Sequence, residues 1–165
     1  MHIGILGDIH DNRSNLEQVL SAMRPVRPGA ILCLGDLTEP AVLVPIAEAF
    51  PGIPIHLVSG NSDSEESIKC FIDKESLDGV HYHHLTGRLK LDDKRIAFTH
   101  KPRHAEVLLQ EDFDVICFGH THEPRLLSKE DTLLVNPGDV QGRFGERPGY
   151  AVYDTASGRA ELKKV

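Results

Sequence analysis

A chain of 165 residues, 40% hydrophobic and 26% charged, is long enough to bury a core and too apolar to stay disordered. Its formal net charge of −7, with only scattered basic residues such as Arg24, Arg27, Lys163 and Lys164, argues against a stable nucleic-acid complex. No run approaches the roughly 18 apolar residues that span a bilayer, and the opening MHIGILGDIHDN lacks a basic start, so it reads as a strand and not a signal peptide. A cytoplasmic protein with no membrane partner is the expectation. Cys33, Cys70 and Cys117 form no C-x-x-C pair; they read as small hydrophobes in a reducing compartment.

In chain order, residues 2–8 read as a strand. Ser14 with Glu17 resembles a capping box opening a helix through Leu16, Val19, Leu20 and Met23, which Pro25 ends. GAILCLG (29–35) is a short apolar run suited to a strand buried on both faces. Thr38 is expected to cap a helix to Phe50, bent at Pro45. IPIHLVS (53–59) gives a third strand, and a helix is expected from Ser64 to Asp73. This β-α-β-α-β order predicts a parallel sheet. Residues 81–84, with His81, His83 and His84, carry no clear regular pattern and read as solvated surface. Residues 86–91 and 94–99 form a hairpin around Asp92-Asp93. A helix from Pro102 to Glu111 and a strand 113–118 follow. RLLSK, TLLVN, GYAVYD and AELKK are then short strands, expected to build antiparallel sheet with turns punctuated by Gly138 and Gly149. No linker divides the chain, so one domain spanning 1–165 is expected.

Chemistry-bearing residues sit at the strand ends. They are Asp8 and His10, then Gly35-Asp36, Gly60-Asn61, Thr99-His100, and Gly119-His120-Thr121-His122. Carboxyl ends of parallel strands face one crevice, and alternation along extended chain puts positions i and i+2 on the same side. Two Asp, one Asn and four His therefore converge. Oxygen and imidazole donors suit manganese, iron, zinc or nickel over calcium or magnesium. Asp36 offers one oxygen to each of two ions, and seven ligands with one shared leave open positions for water and substrate. Two carboxylates against two dications leave a local charge of about +2, which favours phosphate. The glycines before Asp36, Asn61 and His120 permit close backbone approach.

The order D-x-H, GD, GN-x-D, H, GH-x-H from Asp8 to His122, followed by Asn136-Pro137-Gly138, resembles the calcineurin-like metallophosphoesterases, and among them the small YfcE-like phosphodiesterases. The resemblance implies an α/β fold, a four-layer α/β/β/α sandwich of two mixed sheets. It also implies hydrolysis of a small phosphoester, a phosphodiester or also a phosphomonoester, by hydroxide activated between two divalent ions, manganese first with nickel, iron or zinc as options. By the family pattern Asp8, His10, Asp36 and His122 hold one ion, and Asp36, Asn61, His100 and His120 the other. Asp36 and Asn61 are the residues assigned to catalysis.

Two departures stand out. Where many relatives read GNH, with a histidine that protonates the leaving group, this chain has Ser62; where close relatives read HGH, it has His100-Lys101-Pro102. General acid catalysis contributes about 10²–10⁴-fold, so slow turnover biased to activated esters is expected. Arg143 is a candidate for binding a substrate oxygen bidentately, and Asp63 a candidate helix cap or orienter of a ligand. The main rival function is a non-catalytic interaction module on the same fold, as in the retromer subunit. A dinucleotide-binding fold lacks its G-x-G-x-x-G. The sequence does not specify oligomeric state; a homodimer is one option.

Overall fold

The computed structural model describes residues 1–165, with every side chain but that of Phe144. Eleven strands and four α-helices follow in the order β1 (His2–Leu6), α1 (Arg13–Met23), β2 (Ala30–Cys33), α2 (Leu43–Ala49), β3 (Ile55–Leu57), α3 (Glu65–Lys74), β4 (Val80–Tyr82), β5 (Thr86–Leu91), β6 (Lys94–Thr99), α4 (Pro102–Leu108), β7 (Val115–Phe118), β8 (Arg125–Lys129), β9 (Thr132–Asn136), β10 (Gly149–Asp154) and β11 (Arg159–Lys164).

They form two mixed sheets. The first runs β11-β10-β1-β2-β3-β4 and the second β5-β6-β7-β9-β8. Ile3, Ile5, Leu32 and Leu34 of the first sheet and its loops pack with Ile96, Phe98, Val115 and Val135 of the second as one buried cluster. On the other face of the first sheet, Leu6 and Cys33 pack with Leu16 and Val19 of α1, Leu43 and Ile46 of α2 and Ile68 of α3. Ala97 and Ile116 of the second sheet meet Ala105 and Leu108 of α4. The layers are therefore α/β/β/α, with β1 and β2 buried on both sides, as their continuous apolar runs require. Burial at roughly 1.5–3 kcal/mol per large aliphatic side chain makes the face of the first sheet against α1, α2 and α3, the larger of the buried clusters, the main stabilising layer.

The hairpin β5–β6 turns at Asp92 (φ 47°) and Asp93 (φ 63°), the positive-φ pair that a two-residue type I′ connection demands. Elsewhere the structure corrects the sequence. The cap of α1 is Asn12, not Ser14: its Oδ1 accepts from Asn15 N at 3.2 Å and its Nδ2 donates to Gln141 O at 2.9 Å. Thr38 caps nothing; it sits at φ 69° with its amide bonded to Asp63, and α2 begins only at Leu43 after a 3₁₀ turn over Pro40–Val42. Pro45 is the third residue of α2, where no intrahelical N–H is needed, so it does not break the helix. The stretch expected to lack regular structure overlaps β4, which runs parallel to β3 with His56 opposite His81, although His81 and His84 are exposed as expected. Helix α4 stops at Leu108, short of Glu111. The tail is not simply antiparallel: β9 runs parallel to β7, while β10 and β11 join the first sheet beside β1. Gly138, at φ 81°, does turn the chain; Gly149 instead opens β10. Cys33 and Cys117 are buried, Cys70 is exposed, and all three are free. No helix is long and apolar enough to cross a membrane among the described residues.

Candidate metal centre

The loops that follow β1 and β2 are knitted together by backbone hydrogen bonds. Asp8 N donates to Gly35 O, and both Ile9 N and His10 N donate to Asp36 O, each at 3.0 Å. Further amides tie in the rest: Gly119 N to His100 O at 3.0 Å, Gln141 N to Asp8 O at 3.0 Å. The loops after β1, β2, β6, β7 and β9 thus share one rim.

Strand alternation is not what aims the side chains. Asp8 (φ 51°), His10 (φ 47°), Asp36 (φ 53°), His120 (φ 72°) and His122 (φ 61°) all lie in the left-handed region. Each such residue costs on the order of 1 kcal/mol or more, and Asp, Asn and His tolerate it best. Concentration of that strain on these residues, at one rim, marks a site. Two glycines make room for it. A Cβ on Gly60 would lie 2.1 Å from Asp36 Oδ1, and one on Gly119 would lie 2.7 Å from Asp8 Oδ2.

Two groups result. Potential ligand atoms of Asp8, His10 and His122 lie within 4.8 Å of one another, and so do those of Asp36, His100 and His120. His120 and His122, two apart in sequence, therefore serve different groups. Asp36 links them: its Oδ2 lies 3.5 Å from His10 Nε2 and 3.5 Å from His100 Nε2. Asn61 Oδ1 stands 3.0 Å from His100 Nε2, which brings the seventh expected residue to the second group. Asp8, Asp36 and His100 are buried, forming a floor; Asn61 and His120 are exposed, forming an open rim.

The hydrogen-bond network fixes which nitrogens face inward. His100 Nδ1 donates to Leu34 O at 2.9 Å, leaving Nε2 as a lone pair. That lone pair faces Asn61 Oδ1 at 3.0 Å, His120 Nδ1 at 3.1 Å and Asp36 Oδ2 at 3.5 Å. Burial holds the His100 imidazole below its ordinary value, so a proton is a poor substitute for a cation. His122 Nδ1 donates to Asp139 Oδ2 at 2.9 Å, and its Nε2 lies 3.5 Å from Asp8 Oδ1. His10 Nε2 is a buried polar atom with no hydrogen-bond partner. Orphaned, convergent donor atoms of this kind fit divalent cations.

Electrostatics agree. Burial pushes the Asp8 carboxyl up to about 7, against the lowering effects of His122 and the His120 amide. For Asp36 burial also raises the value, but the Ser62 amide and His100 outweigh it and leave the carboxyl below its ordinary range. The floor thus holds one firm carboxylate and one that is costly to ionise without a cation.

Asp139 escaped the sequence reading. Buried, it orients His122 and also accepts from Arg143 N at 3.3 Å. The available signal was its Gly138-Asp139 pair after β9, the same dipeptide that marks Asp36. Asp63 caps no helix: Ser64 does so for α3. Asp63 instead accepts from Leu37 N at 2.7 Å, Thr38 N at 3.0 Å and Gly60 N at 2.8 Å, bracing the loops that carry Asp36 and Asn61. Arg143 is exposed and lines a cavity with His122 and Asp139. His83 bonds to His56 at 3.1 Å and His84 to Glu65 at 3.0 Å, partners outside both groups.

Residues 1–158 match the calcineurin-like phosphoesterase superfamily domain. The chain belongs to this family. It is 25% identical over 163 residues to phosphodiesterase MJ0936 of Methanocaldococcus jannaschii, covering 94% of this chain and 93% of that one. Among solved structures, a novel archaeal phosphodiesterase matches with a TM-score of 0.87 at 23% identity, covering all of both chains. YfcE, a phosphoesterase from E. coli, matches at 0.67 and 22% identity over 94% of this chain and 89% of its own. Vacuolar protein sorting 29 from Cryptosporidium parvum matches at 0.66 and 19% identity over 99% and 96%. These likenesses establish the metallophosphoesterase fold.

Proposed function

We propose that this chain hydrolyses phosphodiesters, with phosphomonoesters as a secondary class, at a site holding two divalent cations. The observation that carries the reading is the position of Asp36 Oδ2, 3.5 Å from a histidine Nε2 of each group. Asp8, His10, Asp36 and His122 would hold one ion, and Asp36, Asn61, His100 and His120 the other. When bound, such a pair supplies Lewis acidity toward phosphoryl oxygens and acidifies a water for attack. Manganese is the first choice for this donor set, with nickel, iron and zinc as options.

The chain's own residues do the rest. Leu34 O and Asp139 lock the His100 and His122 rings with Nε2 inward, as ligand-orienting partners do elsewhere. The open rim at Asn61 and His120 lets an ester approach. Arg143, beside His122, is proposed to grip a non-bridging phosphoryl oxygen. Ser62 donates its amide to Asp36 Oδ1 at 2.8 Å and brings no titratable acid to the leaving group, so activated esters are favoured. The phosphodiesterase named among its relatives supports the same substrate class.

A non-catalytic module on this fold remains the rival; all seven donor positions are filled here, which favours chemistry. An aryl phosphodiester assayed across manganese, nickel, zinc and magnesium tests the proposal. Hydrolysis that depends on added metal and vanishes in Asp36→Asn is expected. Metal-independent hydrolysis, or none with any metal, overturns it.

A further inference from the structure

Next to the second ligand group lies a small cavity of about 80 Å³ lined by Ser59, Gly60, Leu85, His100, Lys101, Arg103 and His104, against the roughly 10–15 Å³ that one water needs. It shares a wall, His100, with the metal centre. Its other polar lining includes two permanent cations, Lys101 and Arg103. In a chain of net charge −7, half of the basic side chains find a carboxylate, among them Arg88 with Glu111, Arg95 with Asp112, Lys94 with Asp114 and Lys164 with Glu146. Among the described residues, Lys101 and Arg103 pair with none. The nearest acid in their own helix, Glu106, lines a different cavity. Two unneutralised cations sharing a cavity is a repulsive arrangement that an anion relieves.

We infer that the Lys101–Arg103 cavity is a subsite for a second phosphate carried by the substrate. This rests on the phosphodiesterase reading of the neighbouring centre. The favoured substrate class is then a phosphodiester whose alcohol or nucleoside bears a further terminal phosphate. Lys101 meets it as a point charge and Arg103 as a planar fork. Across the centre, Arg143 lines the cavity beside His122, so the cations stand on opposite flanks of the two ligand groups and can read a substrate at two separated anionic groups.

The test is calorimetric titration of thymidine 3′,5′-bisphosphate and of thymidine 5′-monophosphate into the full chain, with manganese in both cell and syringe. One charge-assisted contact is worth about tenfold in affinity, so the wild type should bind the bisphosphate at least about tenfold more tightly. The bisphosphate-to-monophosphate ratio should fall toward one in Lys101→Ala/Arg103→Ala and persist in Lys101→Arg, which keeps the charge. Equal affinities in the wild type, or a ratio that survives in the double variant, overturns the inference. Inorganic phosphate as a third titrant separates the sources of the anion: binding as tight as the bisphosphate overturns the assignment to substrate. Hydrolysis of thymidine 5′-(p-nitrophenyl phosphate) is read in parallel. Its absence sinks the phosphodiesterase reading alone, because the affinity ratio still judges the cavity.

Discussion

Replacing Asp139 by Asn should loosen one metal ion without touching any residue proposed to bind it. Asp139 is 5% exposed and its Oδ2 accepts from His122 Nδ1 at 2.9 Å and Arg143 N at 3.3 Å. The amide keeps the acceptor shape and removes the charge. A hydrogen bond to a charged group contributes about 1.5–3 kcal/mol, and to a neutral one about 0.5–1.5. The difference, roughly 1–1.5 kcal/mol, is about tenfold in affinity; Asp139→Ala, losing the contact outright, should reach about 10–100-fold. Manganese titration of aryl phosphodiester hydrolysis reads this directly. The half-saturating manganese concentration should rise by these factors, while the rate at saturating metal stays within a few-fold. An unchanged manganese dependence in Asp139→Ala would show that the carboxylate does not orient His122 as a ligand.

Further outcomes follow from the same geometry. Metal-free, the Asp8 carboxyl titrates near 7 because burial raises it; the folded chain therefore binds this proton more tightly than the unfolded one. That contribution to stability is full below the unfolded value of about 3.9 and is lost as pH rises through about 7. His10 and His100, lowered chiefly by burial, act oppositely, losing stability as pH falls below their ordinary value. Asp8→Asn isolates the first effect: in chelator, its advantage in melting temperature over wild type should grow between pH 5 and pH 8, as values around the titration, and a constant difference would refute it. Gly60→Ala forces a methyl onto Asp36 Oδ1 and should abolish hydrolysis and lower the melting temperature; a functional, stable variant would contradict the packing. A leaving-group series should show rates falling steeply as leaving-group pKa rises, since position 62 offers only Ser62; Ser62→His should flatten that slope, and a flat slope in wild type would place an acid elsewhere.

Much of the fold was legible because its signals are local and redundant. The apolar runs of β1 and β2, the extent of α3 from about Ser64 and the Asp92-Asp93 turn each carry their own pattern. The seven candidate ligands were legible because each closes a strand and the fold gathers strand ends. What the sequence hid is non-local. Alternation suggested that Asp8 and His10 share a side of an extended segment, whereas left-handed backbone at both does the aiming, imposed by amides reaching Gly35 and Asp36. Asn12 outcompetes Ser14 as a cap through Gln141, 129 residues away. Strand β4 is only three residues long, Val80–Tyr82, and makes sense only beside β3. Asp139 looked like any turn residue until β9 was placed parallel to β7, which sets it under His122.

Anomalous diffraction from crystals grown in excess manganese tests the central claim most directly. Two peaks are expected, one among Asp8, His10, Asp36 and His122 and the other among Asp36, Asn61, His100 and His120, with Asp36 touching both. A single peak, or manganese bound away from Asp36, contradicts the account.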